Sequence, residues 1–232
     1  MIEAILFDKD GTLFDFQATW GTWAGDLLFE LSDGEPHRQE AMAQAIGYDL
    51  ERLRFYPDSP AVTGTPETIA ACLHPFSELG LPALVAWMND RAAVAPQVPA
   101  AALAPLMAGL AGRGLRLGVV TNDAVAPTRA HLATAGIEAA FELVIGSDSG
   151  YGAKPAPGQI AAFCTRTGIA PGRVVMVGDA VHDMKAAQAA GACPVAVLTG
   201  TTPESALAPL ARVVLPSVAS VPDWLDRIAD TP

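Results

Sequence analysis

Asp8 and Asp10 stand two residues apart at the end of a short apolar run, Ala4-Ile5-Leu6-Phe7, and Gly11 follows them. Carboxylates this close raise each other's pKa and cost stability unless a cation or a reaction uses them. Gly11 permits a sharp turn and lets a ligand approach main-chain N–H groups. Taken alone, Asp-x-Asp-Gly reads as an acidic turn after a strand. Three later groups change its meaning: Thr121-Asn122, Lys154, and Asp179 with Asp183 four residues on. Carboxylates with few other ligands suit Mg²⁺, which keeps waters and takes a substrate phosphate as a further ligand. The Thr121 hydroxyl and nearby N–H groups suit phosphoryl oxygens, and Lys154 adds positive charge.

These residues meet only if the elements around them form one sheet. Residues 4–7 make a strand of the kind buried on both faces. From Ala100 onward, strands expected over 115–120, 141–145, 173–177, 194–198 and 212–215 alternate with helices over 100–111, 125–135, 158–167, 181–190, 203–210 and 218–228. That rhythm predicts an α/β fold, a Rossmann-like parallel sheet with helices on both faces. Ligands of such sheets bind outside the carboxyl ends of the strands. Asp8, Thr121 and Asp179 all fall at strand ends, and Lys154 lies in a Gly- and Pro-rich loop, 147–157.

Between Asp15 and Ala95 the pattern is helical, with no strand expected: helices over 17–31, 37–46 and 81–93, and a short helical turn within 49–56. Thr65-Pro66-Glu67 has the form of a helix start, with a hydroxyl cap, proline at the first helical position and an acid in the first turn. Residues 15–95 are therefore expected to form a small all-helical domain inserted into a core made of 1–14 and 96–232. Pro96 and Pro99 mark the return to the core.

The chain has 232 residues, 51% hydrophobic and 17% charged, enough for a well-buried core. Its net charge is −11, and no basic run tracks a nucleic-acid backbone, which argues against nucleic-acid binding. Cys72, Cys164 and Cys193 are odd in number and far apart, as reduced thiols of a cytoplasmic protein would be. No basic segment precedes Asp8, so no signal peptide is expected. No stretch approaches the roughly 18 apolar residues of a membrane span. The glycines around Lys154 lack phosphate-loop spacing, Gly112-Arg113-Gly114 lacks the dinucleotide order, and there is no Gly-x-Ser-x-Gly elbow.

Asp8-Lys9-Asp10-Gly11-Thr12-Leu13, Thr121-Asn122, Lys154-Pro155 and Gly178-Asp179-Ala180-Val181-His182-Asp183 occur in that order. Together they resemble the four motifs of the haloacid dehalogenase-like hydrolase superfamily. The insertion after the first motif resembles the helical cap of its phosphoglycolate phosphatase-like branch. The resemblance implies that Asp8 is a nucleophile forming an aspartyl-phosphate and that Asp10 is the acid and base. It further implies that Gly11, Thr121, Asn122 and Lys154 hold the substrate phosphate, with Thr121 and Lys154 also serving catalysis. Mg²⁺ would be held by Asp8, the Asp10 carbonyl, Asp179 and Asp183, the last directly or through water. The implied activity is Mg²⁺-dependent hydrolysis of a small phosphorylated metabolite, with phosphoglycolate the nearest guess, by a monomer or homodimer. Two alternatives are a β-phosphoglucomutase-type phosphosugar mutase and a non-catalytic interaction protein of the same fold.

Lys9 departs from the motif, where a bulky apolar residue is usual; it either faces the cap interface or leaving group or is solvated. His182, at the start of a helix, is either solvated or near substrate. Trp20 and Trp23 are expected in cap packing, Arg52 and Arg54 on a helix surface or on a substrate carboxylate, and Asp123 as a helix N-cap.

Overall fold

Strand β1 (Ala4–Phe7) is fully buried along its length because it lies inside the sheet, with a strand on either side. Alternate side chains enter opposite faces. Ile5 and Phe7 join one apolar core with Val119, Val175 and Val177, while Ala4 and Leu6 join another with Val120, Phe163 and Met176. The computed structural model describes residues 1–229; the last three residues of the expected core, 230–232, lie outside the described residues.

After β1 the chain forms α1 (Phe16–Leu31), α2 (Pro36–Ala45), a hairpin of β2 (Tyr48–Asp49) and β3 (Arg54–Phe55), α3 (Pro60–Thr63), α4 (Pro66–Leu73) and α5 (Leu81–Ala92). It continues with α6 (Leu103–Gly112), β4 (Arg116–Val120), α7 (Val125–Thr134), β5 (Leu143–Ile145), α8 (Gly158–Thr167), β6 (Val174–Gly178) and α9 (Val181–Ala190). It ends with β7 (Cys193–Val197), α10 (Glu204–Leu207), β8 (Val213–Leu215) and α11 (Val221–Ala229). The main sheet has the order β5-β4-β1-β6-β7-β8, and every pairing in it is parallel. The chain first builds outward from β1 through β4 to β5, then crosses back to build β6 to β8 on the other side. The carboxyl ends of β1, β4 and β6 therefore meet where the winding reverses, the place where such sheets bind ligands.

Residues 15–95 have an apolar core of their own. On α1, Phe16, Trp20, Ala24, Leu28 and Leu31 form one helical stripe that packs with Met42, Leu73, Leu84 and Met88. Asp15 caps α1 by accepting the Ala18 N–H at 2.8 Å, and Thr65 caps α4 ahead of Pro66, as its sequence predicts. The expectation of helices alone is corrected between 48 and 55. There β2 pairs antiparallel with β3, Tyr48 opposite Phe55, and no helical turn forms. The aromatic pair holds this short ladder, with ring centroids 5.0 Å apart and the Tyr48 hydroxyl donating to Gly21 O at 2.6 Å. Such a two-residue ladder leaves no alternation long enough to recognise in sequence.

The segments entering and leaving this region run side by side. Asp15 N–H donates to Val98 O at 2.8 Å and Ala100 N–H to Leu13 O at 2.9 Å. Among the described residues no single helix is long and apolar enough to cross a membrane.

Candidate active site

The register of the sheet assembles the site. Phe7 lies level with Val119 on one side and Val177 on the other, so Asp8, Thr121 and Asp179 emerge together at the same end. The Asp8 N–H still donates to Val177 O at 2.9 Å, which fixes its backbone before the chain turns. The turn is closed by Gly11, whose φ of +80° is ordinary for glycine and costly for other residues. A Cβ there would also lie 2.4 Å from an Asp179 carboxylate oxygen. The Gly11 N–H donates to Phe14 O at 2.7 Å. The Gly11 N–H is therefore engaged within the turn in this structure, while its lack of a side chain makes room for Asp179.

Lys154 reaches the same point from its loop. Its Nζ lies 2.8 Å from Asp8 Oδ1 and 2.6 Å from Asp183 Oδ1, and it donates to Val120 O at 3.0 Å. Three hydrogens face three oxygens in a fully buried setting. The Asn122 side chain holds the Lys154 backbone: Oδ1 accepts its N–H at 2.8 Å and Nδ2 donates to its carbonyl at 3.0 Å. The same amide donates to Thr63 O in the insertion at 3.0 Å. Thr121 Oγ1 accepts the Asp123 N–H at 3.1 Å. Asp179 accepts from Thr12 Oγ1 at 3.1 Å, and Asp183 accepts the Ala180 N–H at 3.0 Å. Thr12 belongs to the first motif, yet nothing in its local sequence named Asp179 as its partner.

Lys9 is fully buried, so the solvated alternative is corrected. Its Nζ sits 3.0 Å from Asp10 Oδ2, 2.6 Å from Asp123 Oδ2 and 3.0 Å from His131 Nδ1. The other Asp10 oxygen accepts the Trp20 indole N–H at 2.8 Å. His131 Nε2 lies 2.6 Å from Ala92 O, which assigns the ring proton to Nε2 and leaves Nδ1 to accept from Lys9. Asp123 therefore serves Lys9 and is not the N-cap of α7; Ala124 occupies that position. Trp20 does pack in the insertion as expected, and it also anchors Asp10. His131 is the residue sequence reasoning missed. Arg52 and Arg54 lie on the hairpin, not a helix, where Arg52 pairs with Asp49 at 3.1 Å. They line a second groove with Gly200 and Thr201, and Asp8 is not among its lining residues.

A cavity of ≈ 110 Å³ lies between the strand ends and the insertion. Asp8, Asp10, Thr121, Asn122, Asp123 and His182 supply its polar side. Ligand atoms of Asp8, His182 and Asp183 lie within 4.8 Å of one another, so His182 is drawn into the site rather than solvated. Buried carboxylates with a single lysine between them are the donor set a hard divalent cation suits, although Mg²⁺ prefers oxygen to imidazole.

The electrostatics agree. Burial pushes Asp8 up to about 7, with Lys154 opposing and Asp183 and Asp10 adding to it. Burial, then Asp183 and Asp8, hold Asp179 well above the usual carboxylate range. Burial also pushes Asp183 upward, but Lys154, His182 and the Ala180 N–H outweigh it and hold it below the usual value. Burial would lower both lysines; Asp183 and Asp8 raise Lys154 above an ordinary lysine, and Asp10 and Asp123 do the same for Lys9. One ammonium does not neutralise this many buried carboxylates, so the cluster calls for more positive charge.

The model of the haloacid dehalogenase-like hydrolase family matches residues 2–191. A phosphoglycolate phosphatase of Rhodospirillum rubrum is 31% identical over 251 aligned residues, covering 100% of this chain and 97% of the relative. A phosphoglycolate phosphatase of Nitrosococcus oceani is 35% identical over 190 residues, covering 81% of this chain and 80% of the relative. Among solved structures, CbbY from Rhodobacter sphaeroides in complex with phosphate has the same fold, with a TM-score of 0.72 at 23% identity over 95% of this chain and 96% of that one.

Proposed function

The chain belongs to the haloacid dehalogenase-like hydrolase family, and on that premise we propose that it is a Mg²⁺-dependent phosphatase of small phosphomonoesters working through an aspartyl-phosphate on Asp8. The observation that carries this reading is the Asp8 carboxylate, lining the cavity with Lys154 2.8 Å behind it and Asp10 on the same wall. The phosphoglycolate phosphatases among its relatives support a small substrate.

In this reading an Asp8 oxygen attacks phosphorus as the phosphorus–oxygen bond to the leaving group breaks. Asp10 gives its proton to the departing alkoxide, then takes one from the water that attacks the aspartyl-phosphate. Phosphate leaves and Asp8 is regenerated. Lys154 keeps positive charge beside Asp8, Thr121 and the Asn122 backbone N–H hold phosphoryl oxygens, and Trp20 with Lys9 orients Asp10. Bound by Asp8, the Asp10 carbonyl, Asp179 and Asp183, Mg²⁺ would offset the charge that collects on the phosphoryl group. Residues 15–95 act as the unit that covers the site and excludes water while the first step proceeds. The mutase alternative needs hydrogen-bonding groups for a sugar, and the insertion wall of the cavity is mostly apolar.

The test is phosphate release from a panel of phosphomonoesters with Mg²⁺, comparing the wild type with Asp8→Asn. Release is expected only from the wild type. A variant keeping even a tenth of the rate while folded removes Asp8 as the nucleophile.

A further inference from the structure

Resting on the phosphomonoesterase reading, we propose that the leaving group selected by this site is a neutral, apolar alcohol, a single small ring or a short branched chain, and not a hydroxy acid. The cavity has two unlike walls. The strand-end wall is polar, with Asp8, Asp10 and Asp123 beside Thr121, Asn122 and His182. The insertion wall is hydrocarbon and aromatic, formed by side chains such as Phe16, Trp23, Leu27, Phe55, Ile69 and Met88. Apart from the two indoles, Asn89 is its one polar side chain, and both indole N–H groups are engaged: Trp20 with Asp10 at 2.8 Å and Trp23 with Arg91 O at 3.3 Å.

Among the described residues no lysine or arginine lines the cavity. The two lysines nearest to it already have partners. Lys9 is shared by Asp10, Asp123 and His131, and Lys154 by Asp8, Asp183 and Val120 O. Arg91 pairs with Glu30 and lies 3.7 Å over the Trp87 ring, while Arg52 and Arg54 line a second groove and not this cavity. A leaving group carrying a carboxylate would lose water beside Asp10 and Asp123 with no lysine or arginine on the cavity wall to pair with it. A sugar would leave most of its hydroxyls without partners. An apolar group loses nothing polar and gains from burial against the aromatic wall. The volume of ≈ 110 Å³ is of the same order as the roughly 150 Å³ cavity that holds benzene, which limits the group to one small ring or a short branched chain.

The test compares kcat/KM for phosphate release from benzyl phosphate, isobutyl phosphate and phosphoglycolate, whose alkoxides are of similar basicity, with Mg²⁺ present. Alongside it, calorimetry measures the binding of the non-hydrolysable analogues 2-phenylethylphosphonate and 3-phosphonopropionate. Expected is at least a tenfold preference for the apolar member in both measurements. Ile69→Lys, at a half-buried position on the insertion wall, is expected to shift the preference toward phosphoglycolate by a similar factor. Phosphoglycolate turned over as well as or better than benzyl phosphate overturns the inference and leaves the phosphatase reading standing. No turnover of any ester, with the phenyl analogue still bound tenfold tighter, overturns the phosphatase reading and keeps the ligand class. No turnover and no binding preference overturn both.

Discussion

Lys9 Nζ lies 3.0 Å from Asp10 Oδ2, and this buried ammonium is also 2.6 Å from Asp123. The residue between the two motif carboxylates thus joins the first motif to α7, and Trp20 extends the link into the insertion. Asp10 is held from both sides, by core and by insertion.

Removing Lys9 leaves Asp10 and Asp123 facing one another without a cation. Lys9→Met, close to it in length and apolar, is expected to cost about 3 kcal/mol, the scale of breaking a buried ion pair by deleting one partner. Urea unfolding of variant and wild type measures this. A loss below about 1 kcal/mol means the three contacts contribute little.

Trp20→Phe keeps most of the ring packing and deletes the indole N–H that holds Asp10 Oδ1. If Asp10 is acid and base, kcat should fall about tenfold with little change in KM, since the lost contact orients a catalytic group rather than the substrate. An unchanged kcat in a folded variant removes Trp20 from the positioning of Asp10.

Excess chelator is expected to stop phosphate release, and added Mg²⁺ to restore it. Ca²⁺ should not restore it, because its larger and looser coordination shell disturbs in-line attack. Full activity in chelator means that the carboxylates serve another purpose.

Burial, and then the neighbouring Lys9 charge, hold His131 below an ordinary histidine. In the unfolded chain it takes a proton near its usual pKa of about 6.5, while in the folded chain it does so only at lower pH. The unfolded state then binds more protons, so stability rises with pH through this window. The stability this neutral ring allows is fully present above about pH 6.5 and is lost as pH falls through the folded value. An NMR titration of the imidazole reads it directly; a pKa at or above 6.5 contradicts the buried, neutral assignment.

The fold and the convergence of the strand ends were legible in the sequence because both rest on short-range patterns. A fully apolar Ala4–Phe7, the helix–strand alternation after residue 100 and the Thr65-Pro66 start each depend on a few neighbouring residues. Once β1, β4 and β6 are parallel neighbours, their carboxyl ends coincide, so Asp8, Thr121 and Asp179 converge without further information. Tertiary structure alone decided where the other side chains found partners. Lys9 meets Asp123 and His131 across separations of 114 and 122 residues, distances over which no local period carries a signal. The same packing turned Trp20 onto Asp10, placed Arg52 and Arg54 in a second groove and replaced an expected helical turn with the Tyr48–Phe55 pair. A side chain's type sets what it can bond; which partner stands within 3 Å of it is settled only when distant elements pack.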